Sequence, residues 1–521
     1  MNEILGRIKK TVSNEQRLAF ISTFLLGIVV HLFMLSNKIP NHDDVGQLYD
    51  SMNRYGHGRW FLFFPAQISS DLSLPWLNGV LGILYISISV MLVVWLFQIK
   101  TGICIAAVST IMVTFPTVAS TFNYMQSGDS YFFCLLLVCI AVCLTCSSSK
   151  LCRAVSVVLL TLSMGIYQSY LPFAAALLIV WHIRELLIED KDFRKVLLNG
   201  IKSLCVIGIS VIAYIIITRL ILRYHNATLN GHIAGFVIND FSIKNMVKLM
   251  INAYIQPLAF YLINISDIHY KYMNYLYIPV IIISIVFSIL LCKRYGRKTS
   301  RMKNLLLIAL YMILPLASGL IYCMCAEVHM LMVYGFIILL LFPIILTDWI
   351  ESSDIQIAGV KGTLIRYGQI FIVLIMLITG FNYALVSNKA YLSLYLTYEQ
   401  SYAYANRLVT EIEMQNGYDK GKTIVLIGKP TVNTEYTMPW WEEKDIQSMR
   451  GVTKTLIRSY TFPSYLRYYI GVEQEVVSIS SPDQLSDLKI NTDINTLSCY
   501  PDEGSIVCEE DIIFVKFSEV Q

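Results

Sequence analysis

Residues 275–322 read YLYIPVIIISIVFSILLCKRYGRKTSRMKNLLLIALYMILPLASGLIY. Two apolar runs, 275–292 and 304–322, flank an eleven-residue basic hairpin carrying Lys293, Arg294, Arg297, Lys298, Arg301 and Lys303. Each run is close to the ~20 residues that cross a bilayer as a helix. Six cations and no acid in so short a connection hold it on the cytoplasmic side, because topology follows Lys and Arg in short loops.

The same reading extends to both ends of the chain. Further apolar runs fall near 17–36, 76–97, 102–120, 129–147, 154–167, 171–187, 202–220, 329–347 and 367–386, which gives about eleven spans. With the N-terminus cytoplasmic, 20 of the 40 Lys and Arg lie on the inner side, 8 lie in the opposite loops and 12 follow the last span. The composition agrees: 56% hydrophobic and only 15% charged residues in 521, against about 25% charged in a soluble domain. No small-residue cleavage site follows the first run, so it is expected to remain as an anchor.

After about residue 388 the chain turns polar. Thr423–Ile427 and Ile512–Val515 are β-branched runs that read as strands, and Tyr402–Met414 has helical spacing of apolar residues. The expected fold is an all-α polytopic membrane domain over 1–387 with a small extracytoplasmic α/β domain over 388–521. Cys499 and Cys508 flank a Pro-Asp-Glu-Gly turn in that domain, where either a disulfide or two thiols fits. The pair Cys323 and Cys325 lacks the further ligands a zinc site needs.

Two loops on the outer side are long. The first, 37–75, contains Asn41-His42-Asp43-Asp44-Val45, then Arg54 and Gly56-His57-Gly58-Arg59-Trp60, with Asp50 and Asp71. It places acids and bases beside an aromatic run, Trp60 to Phe64, of the kind that favours the membrane interface. A carboxylate there can take a proton from a hydroxyl, and a guanidinium can hold a phosphate. A solvated loop is the plainer alternative. Asp43 and Asp44 are adjacent and point apart, so one at most serves as base, while the other orients it, binds a sugar hydroxyl or holds a metal.

The second long loop, 221–274, offers Lys244 or Lys248 as a phosphate contact, a packed surface loop being the plainer alternative, with Met246–Ile263 as an interfacial or re-entrant helix. Arg223 reads as a snorkelling anchor. At helix ends stand Tyr167, Gln168, Asp129, Glu327 and His329; Asp129 also fits the N-cap of the fourth span. The chain has no P-loop, no dinucleotide fingerprint, no H-E-x-x-H and no G-x-S-x-G.

Asn41-His42-Asp43-Asp44, then Gly58-Arg59-Trp60, then Gly165-Ile166-Tyr167-Gln168-Ser169-Tyr170 resembles the Gtr-type bacterial membrane glucosyltransferases, within the GT-C class. The resemblance covers about 20–390. It implies catalysis on the non-cytoplasmic face of a bacterial cell membrane. The implied donor is a polyprenyl-phosphate sugar, undecaprenyl-phosphate glucose being expected, and the acceptor a cell-surface polysaccharide. It implies Asp44 or Asp43 as general base, with Asp44 slightly preferred, and Arg59 on the donor phosphate or organising the loop. Arg54, His57, Trp60, Tyr167, Gln168, Arg223, Lys244 and His329 complete the expected substrate contacts. No cofactor or metal ligand is assigned, and a divalent metal is left open. A flippase for a lipid-linked glycan, or a non-catalytic envelope assembly protein, is the alternative; the mostly apolar span centres favour the transferase over the flippase.

Overall fold

The computed structural model describes residues 12–46, 55–229, 243–263, 268–269, 272–293, 301–325, 327–353, 360–430, 449, 456–481, 484 and 494–519. The chain forms two compact units. The first comprises Met1–Asn37, Asn53–Lys389 and Lys444–Met449; the second comprises Lys38–Met52, Ala390–Glu443 and Arg450–Gln521.

The first unit is helical. Its helices are α1 (Asn14–Ser36), then, after the short α2 (His42–Gly46) of the second unit, α3 (Pro75–Phe97), α4 (Gly102–Thr114), α5 (Pro116–Phe122), α6 (Met125–Thr145), α7 (Lys150–Ile166), α8 (Leu171–Leu187), α9 (Phe193–Tyr224), α10 (Ile243–Leu262), α11 (Met273–Lys293), α12 (Arg301–Ser318), α13 (Ile338–Glu351) and α14 (Val360–Glu413). Among the described residues nine helices are long and apolar enough to cross a membrane, or ten with the bent pair α4 and α5. Every one of the eleven expected stretches overlaps a helix; the fifth is α7, of 17 residues. Helix α10 carries Pro257 and is not among the nine.

Three expectations change. The third span is not one helix but two, bent by 41°. Pro116 has no N–H to give the carbonyl of Met112, and its ring breaks the helix. Two side chains from elsewhere repair the break: Tyr334 Oη–H donates to Met112 O at 3.0 Å, and His31 Nε2 lies 2.9 Å from Val113 O. This answers the rule that a backbone carbonyl at membrane depth must find a donor inside the protein. Tyr334→Phe is therefore expected to lower stability by about 1 kcal/mol, read as a fall in thermal midpoint in detergent, with the fold retained.

The span expected at 329–347 starts later, at Tyr334, because the residues before it are spent on the 3₁₀ turn Met330–Met332; a second such turn, Tyr334–Ile337, leads into α13. The last span does not stop near 386. It continues unbroken to Glu413 and absorbs the helix expected from Tyr402. Between Phe381 and Glu413 the sequence holds neither Pro nor Gly. Its hydroxyls return to the carbonyl one turn back, as in Thr397 to Ser393 O (2.8 Å) and Ser401 to Thr397 O (2.7 Å), so nothing terminates the helix. The division between the two units falls within it, after Lys389.

Asp348 shows how one helix end of the bundle is satisfied. Its buried carboxylate accepts from the N–H of Lys100 (3.1 Å) and Thr101 (2.7 Å), so α13 caps the start of α4.

The second unit is built on a four-stranded sheet in the order β2-β1-β4-β3. The strands are β1 (Thr423–Ile427), β2 (Val476–Ile479), β3 (Ile506–Cys508) and β4 (Ile512–Lys516). Strand β1 pairs in parallel with both β2 and β4, while β3 is antiparallel to β4. Both expected strands are present. One face of the sheet packs Ile424, Leu426, Ile513 and Val515 against Tyr404, Leu408 and Ile412 of α14 and against Phe462 and Tyr465 of a short helix, α15 (Phe462–Tyr465). Cys499 and Cys508 are both free thiols; Cys508 is paired in β3 opposite Ile513 and packs against this core.

Candidate functional site

The candidate residues fall into two clusters, one in each unit. In the second unit, α2 is only five residues long and is made by its cap. Asn41 Oδ1 accepts from the N–H of Asp43 (2.8 Å) and of Asp44 (2.9 Å). In return, the Asn41 N–H donates to Asp44 Oδ2 at 3.4 Å. This is a reciprocal capping box with Asp as its third helical residue. Val45, the one large apolar side chain of α2, is fully buried among Leu408, Phe462 and Phe517. Burial of a valine stabilises by about 1.5–3 kcal/mol, enough to dock so short a helix on the second unit.

The two acids consequently differ. Asp44 is 2% exposed and belongs to the cap. The Asp43 side chain is 30% exposed and lies 3.3 Å from His42 Nε2. Burial holds the His42 imidazole below its ordinary pKa, opposed by the Asp43 carboxylate and reinforced by Arg458. The imidazole is thereby kept neutral at pH 7.

In the first unit, the turn Tyr55–Gly58 and the following Arg59-Trp60-Phe61 are latched onto Gly165–Gln168 and α9. Tyr55 stacks on His225 with centroids 4.0 Å apart. Gln168 Nε2–H donates to Tyr214 Oη (2.6 Å) and His57 O (3.3 Å), and Tyr214 Oη–H donates to Gly58 O (3.2 Å). Gly58 has φ +67°, and a Cβ there would collide with the Tyr214 hydroxyl. Trp60 Nε1–H donates to Thr218 Oγ1 (3.1 Å), and Phe61 N–H donates to Gly165 O (2.8 Å).

Arg59 is fixed at the centre of this latch. Its Nη1–H donates to Tyr131 Oη at 2.7 Å. The guanidinium lies 5.2 Å from the Tyr167 ring and 5.5 Å from the Tyr131 ring, within cation–π range. Those two rings stack on each other at 4.2 Å and 14°. The structure thus joins two separate stretches that the resemblance rests on, Gly58-Arg59-Trp60 and Gly165–Gln168. Gly165 is what permits the contact: a Cβ on it would lie 2.8 Å from Trp60 Cζ2 and 3.0 Å from Phe61 Cβ. Gly165→Ala is expected to displace Trp60 at a cost of about 1–3 kcal/mol, measurable as a lower thermal midpoint and a shifted Trp emission.

The other expected residues stand apart. Arg223 and Lys244 are exposed in the last turn of α9 and the first turn of α10, with no polar side-chain partner among the described residues. His329 Nε2 lies 3.9 Å from the exposed Glu327. Arg54 and Asp50 lie outside the described residues. Asp129 is not an N-cap: α6 begins at Met125, and Asp129 is buried within it, accepting from Asn78 Nδ2 at 3.1 Å. Among the described residues no three His, Cys, Asp or Glu side chains are grouped to hold a metal ion.

Tyr131, Tyr214 and Arg458 carry no signal in the sequence. The two tyrosines lie in stretches read as apolar, and no motif surrounds Arg458.

A family model described as Glucosyl transferase GtrII matches residues 32–342 of the chain. No curated protein matches it in sequence.

Proposed function

Because this chain belongs to the GtrII glucosyltransferase family, and glucosyl transfer follows from that membership, we propose that it moves glucose from a polyprenyl-phosphate donor to a cell-surface glycan. The observation that carries this reading is the Arg59 latch. A guanidinium clamped by a phenol and two stacked rings is pre-oriented for a leaving phosphate. Its surroundings join the very residues by which the chain resembles the Gtr-type enzymes.

In this reading Asp43 is the general base and Asp44 positions it. Asp43 retains solvent access, whereas the Asp44 carboxylate is held in the cap of α2. Asp43 takes the proton of an acceptor hydroxyl, whose oxygen attacks the anomeric carbon. The C–O bond to the phosphate breaks and the lipid phosphate leaves; the role proposed for Arg59, holding the donor phosphate, is a separate assignment within the first unit. One displacement inverts the anomeric centre. Trp60, Tyr167, Gln168 and His57 hold Arg59 in place, while Arg223, Lys244 and His329 are reserved for the lipid-phosphate headgroup. The excess of Lys and Arg in alternate loops favours an N-terminus in the cytoplasm and catalysis on the opposite face.

The test is reconstitution of the purified protein in liposomes with radiolabelled undecaprenyl-phosphate glucose and an envelope glycan. Label is expected in the glycan, with release of the lipid phosphate. Donor that is bound, or moved across the bilayer, but never consumed overturns the reading in favour of transport.

A further inference from the structure

Beside Asp43, the second unit presents a group of side chains from a distant part of the sequence. Arg458 and Tyr460 stand on the turn that leads into α15. Thr461 closes this turn: its hydroxyl accepts from Arg458 N–H (3.0 Å) and bonds to Leu456 O (3.0 Å). Phe462, fully buried, pins the turn to the core. Tyr460 is therefore left at the surface on a fixed backbone, with Arg458 half-buried beside it. Tyr460 is 59% exposed, Arg458 Nη1–H donates to its hydroxyl at 3.4 Å, and the guanidinium lies 5.9 Å from the ring centroid. Helix α2 packs against this turn, since a Cβ on Gly46 would lie 3.8 Å from Thr461 Cγ2.

The charges of the two segments act on each other. The Tyr460 hydroxyl is pushed above its ordinary pKa, first by burial and then by the Asp43 carboxylate. Arg458 acts in turn on His42. Lys38, exposed at the surface and within electrostatic reach of the Asp44 carboxylate, completes the group. Counted among the described residues, Asp43 and Asp44 offset Lys38 and Arg458, and His42 is neutral.

A charge-balanced cluster discriminates against an anion, which would have to approach two carboxylates. It suits a neutral polyhydroxy ring. A tyrosine face covers the apolar C–H surface of a pyranose, a guanidinium donates to hydroxyl oxygens, and a carboxylate accepts from a hydroxyl. We propose that Asp43, Arg458 and Tyr460 form the subsite for a neutral sugar of the acceptor glycan. This deepens the transferase reading and rests on it. The second unit then selects the acceptor and presents one of its hydroxyls to Asp43, and Tyr460 and Arg458 are specificity residues rather than catalytic ones.

The test pairs binding with kinetics on the full-length protein. Saturation-transfer NMR with methyl glucoside, methyl galactoside and methyl rhamnoside reports sugar binding, and inorganic phosphate serves as the anionic competitor. Transfer assays separate the KM of the acceptor from that of the donor. Tyr460→Ala and Arg458→Gln are expected to abolish the saturation signal of the preferred glycoside. Both should raise the acceptor KM at least tenfold and leave the donor KM unchanged. Tyr460→Trp, which keeps an aromatic face, should restore binding.

The subsite is overturned if both variants keep wild-type glycoside binding and acceptor KM, or if phosphate displaces the glycoside. Should wild type bind glycosides through Tyr460 yet transfer no sugar, the subsite stands and the transferase reading fails. Should wild type transfer sugar with Tyr460→Ala indistinguishable from it, the reading stands and the subsite fails.

Discussion

The Asp43→Asn protein transfers sugar about 10²–10⁴-fold more slowly than wild type, the usual contribution of a positioned general base, while its thermal midpoint stays within error of wild type. The substitution is close to isosteric. The backbone N–H of residue 43 keeps its bond to Asn41 Oδ1, so α2 remains capped. What is lost is the ability to accept a proton. Asp44→Asn behaves differently. It replaces the carboxylate that accepts from Asn41 N–H, and weakening that cap costs about 0.5–2 kcal/mol. Its midpoint falls, and part of its activity loss tracks the fraction unfolded. Initial rates and melting curves on the two variants separate the roles. If Asp44→Asn loses transfer at unchanged stability while Asp43→Asn retains it, the base is Asp44 and the assignment reverses.

That contrast marks the limit of what the sequence reveals. The spans are legible because ~20 apolar residues in a row have few other uses. The break at Pro116 is not, because proline is equally at home in the first turn of a helix. Only the donors on His31 and Tyr334, remote in the chain, show that the carbonyls of Val113 and Met112 have been released and recaptured. The strands at 423–427 and 512–516 are visible as β-branched runs, whereas β3 is a three-residue piece below any pattern.

The first loop is the most instructive case. By sequence, Asp43, Asp44 and Arg59 belong to one connection between two spans. In the fold, Val45 commits the acids to the core of the second unit, while Arg59 belongs to the first. Val45 joins that core as the one large apolar side chain of α2, and hydrophobic periodicity cannot say which core one apolar residue joins. Tyr131 and Tyr214 are hidden for a related reason: a tyrosine in a span counts as apolar until a partner for its hydroxyl is seen. The resemblance supplied Arg59 and Gln168; the phenols that orient them came from the fold.

Arg59→Lys is expected to lower kcat/KM for the lipid-phosphate donor by about 10²–10³-fold, as for loss of one group that stabilises a developing oxyanion. The charge is conserved in this variant, so a purely Coulombic role predicts little change. The geometry predicts otherwise. The guanidinium lies within cation–π range of the Tyr131 and Tyr167 rings and bonds the Tyr131 hydroxyl through one edge. A planar fork has further N–H donors with which to grip two phosphate oxygens; an ammonium on a flexible stem neither stacks in the same way nor offers that fork. Tyr131→Phe should reproduce a small part of the defect, because it removes the phenol and keeps the ring, and the loss from a single such bond is about tenfold. The effect of Arg59→Lys should appear mainly in kcat, since charge develops on the phosphate as it leaves, and raising salt should not erase the difference between lysine and arginine. A wild-type rate for Arg59→Lys, or a defect confined to donor KM and abolished at high salt, would reduce Arg59 to a general electrostatic attractor and remove it from the departure of the leaving group.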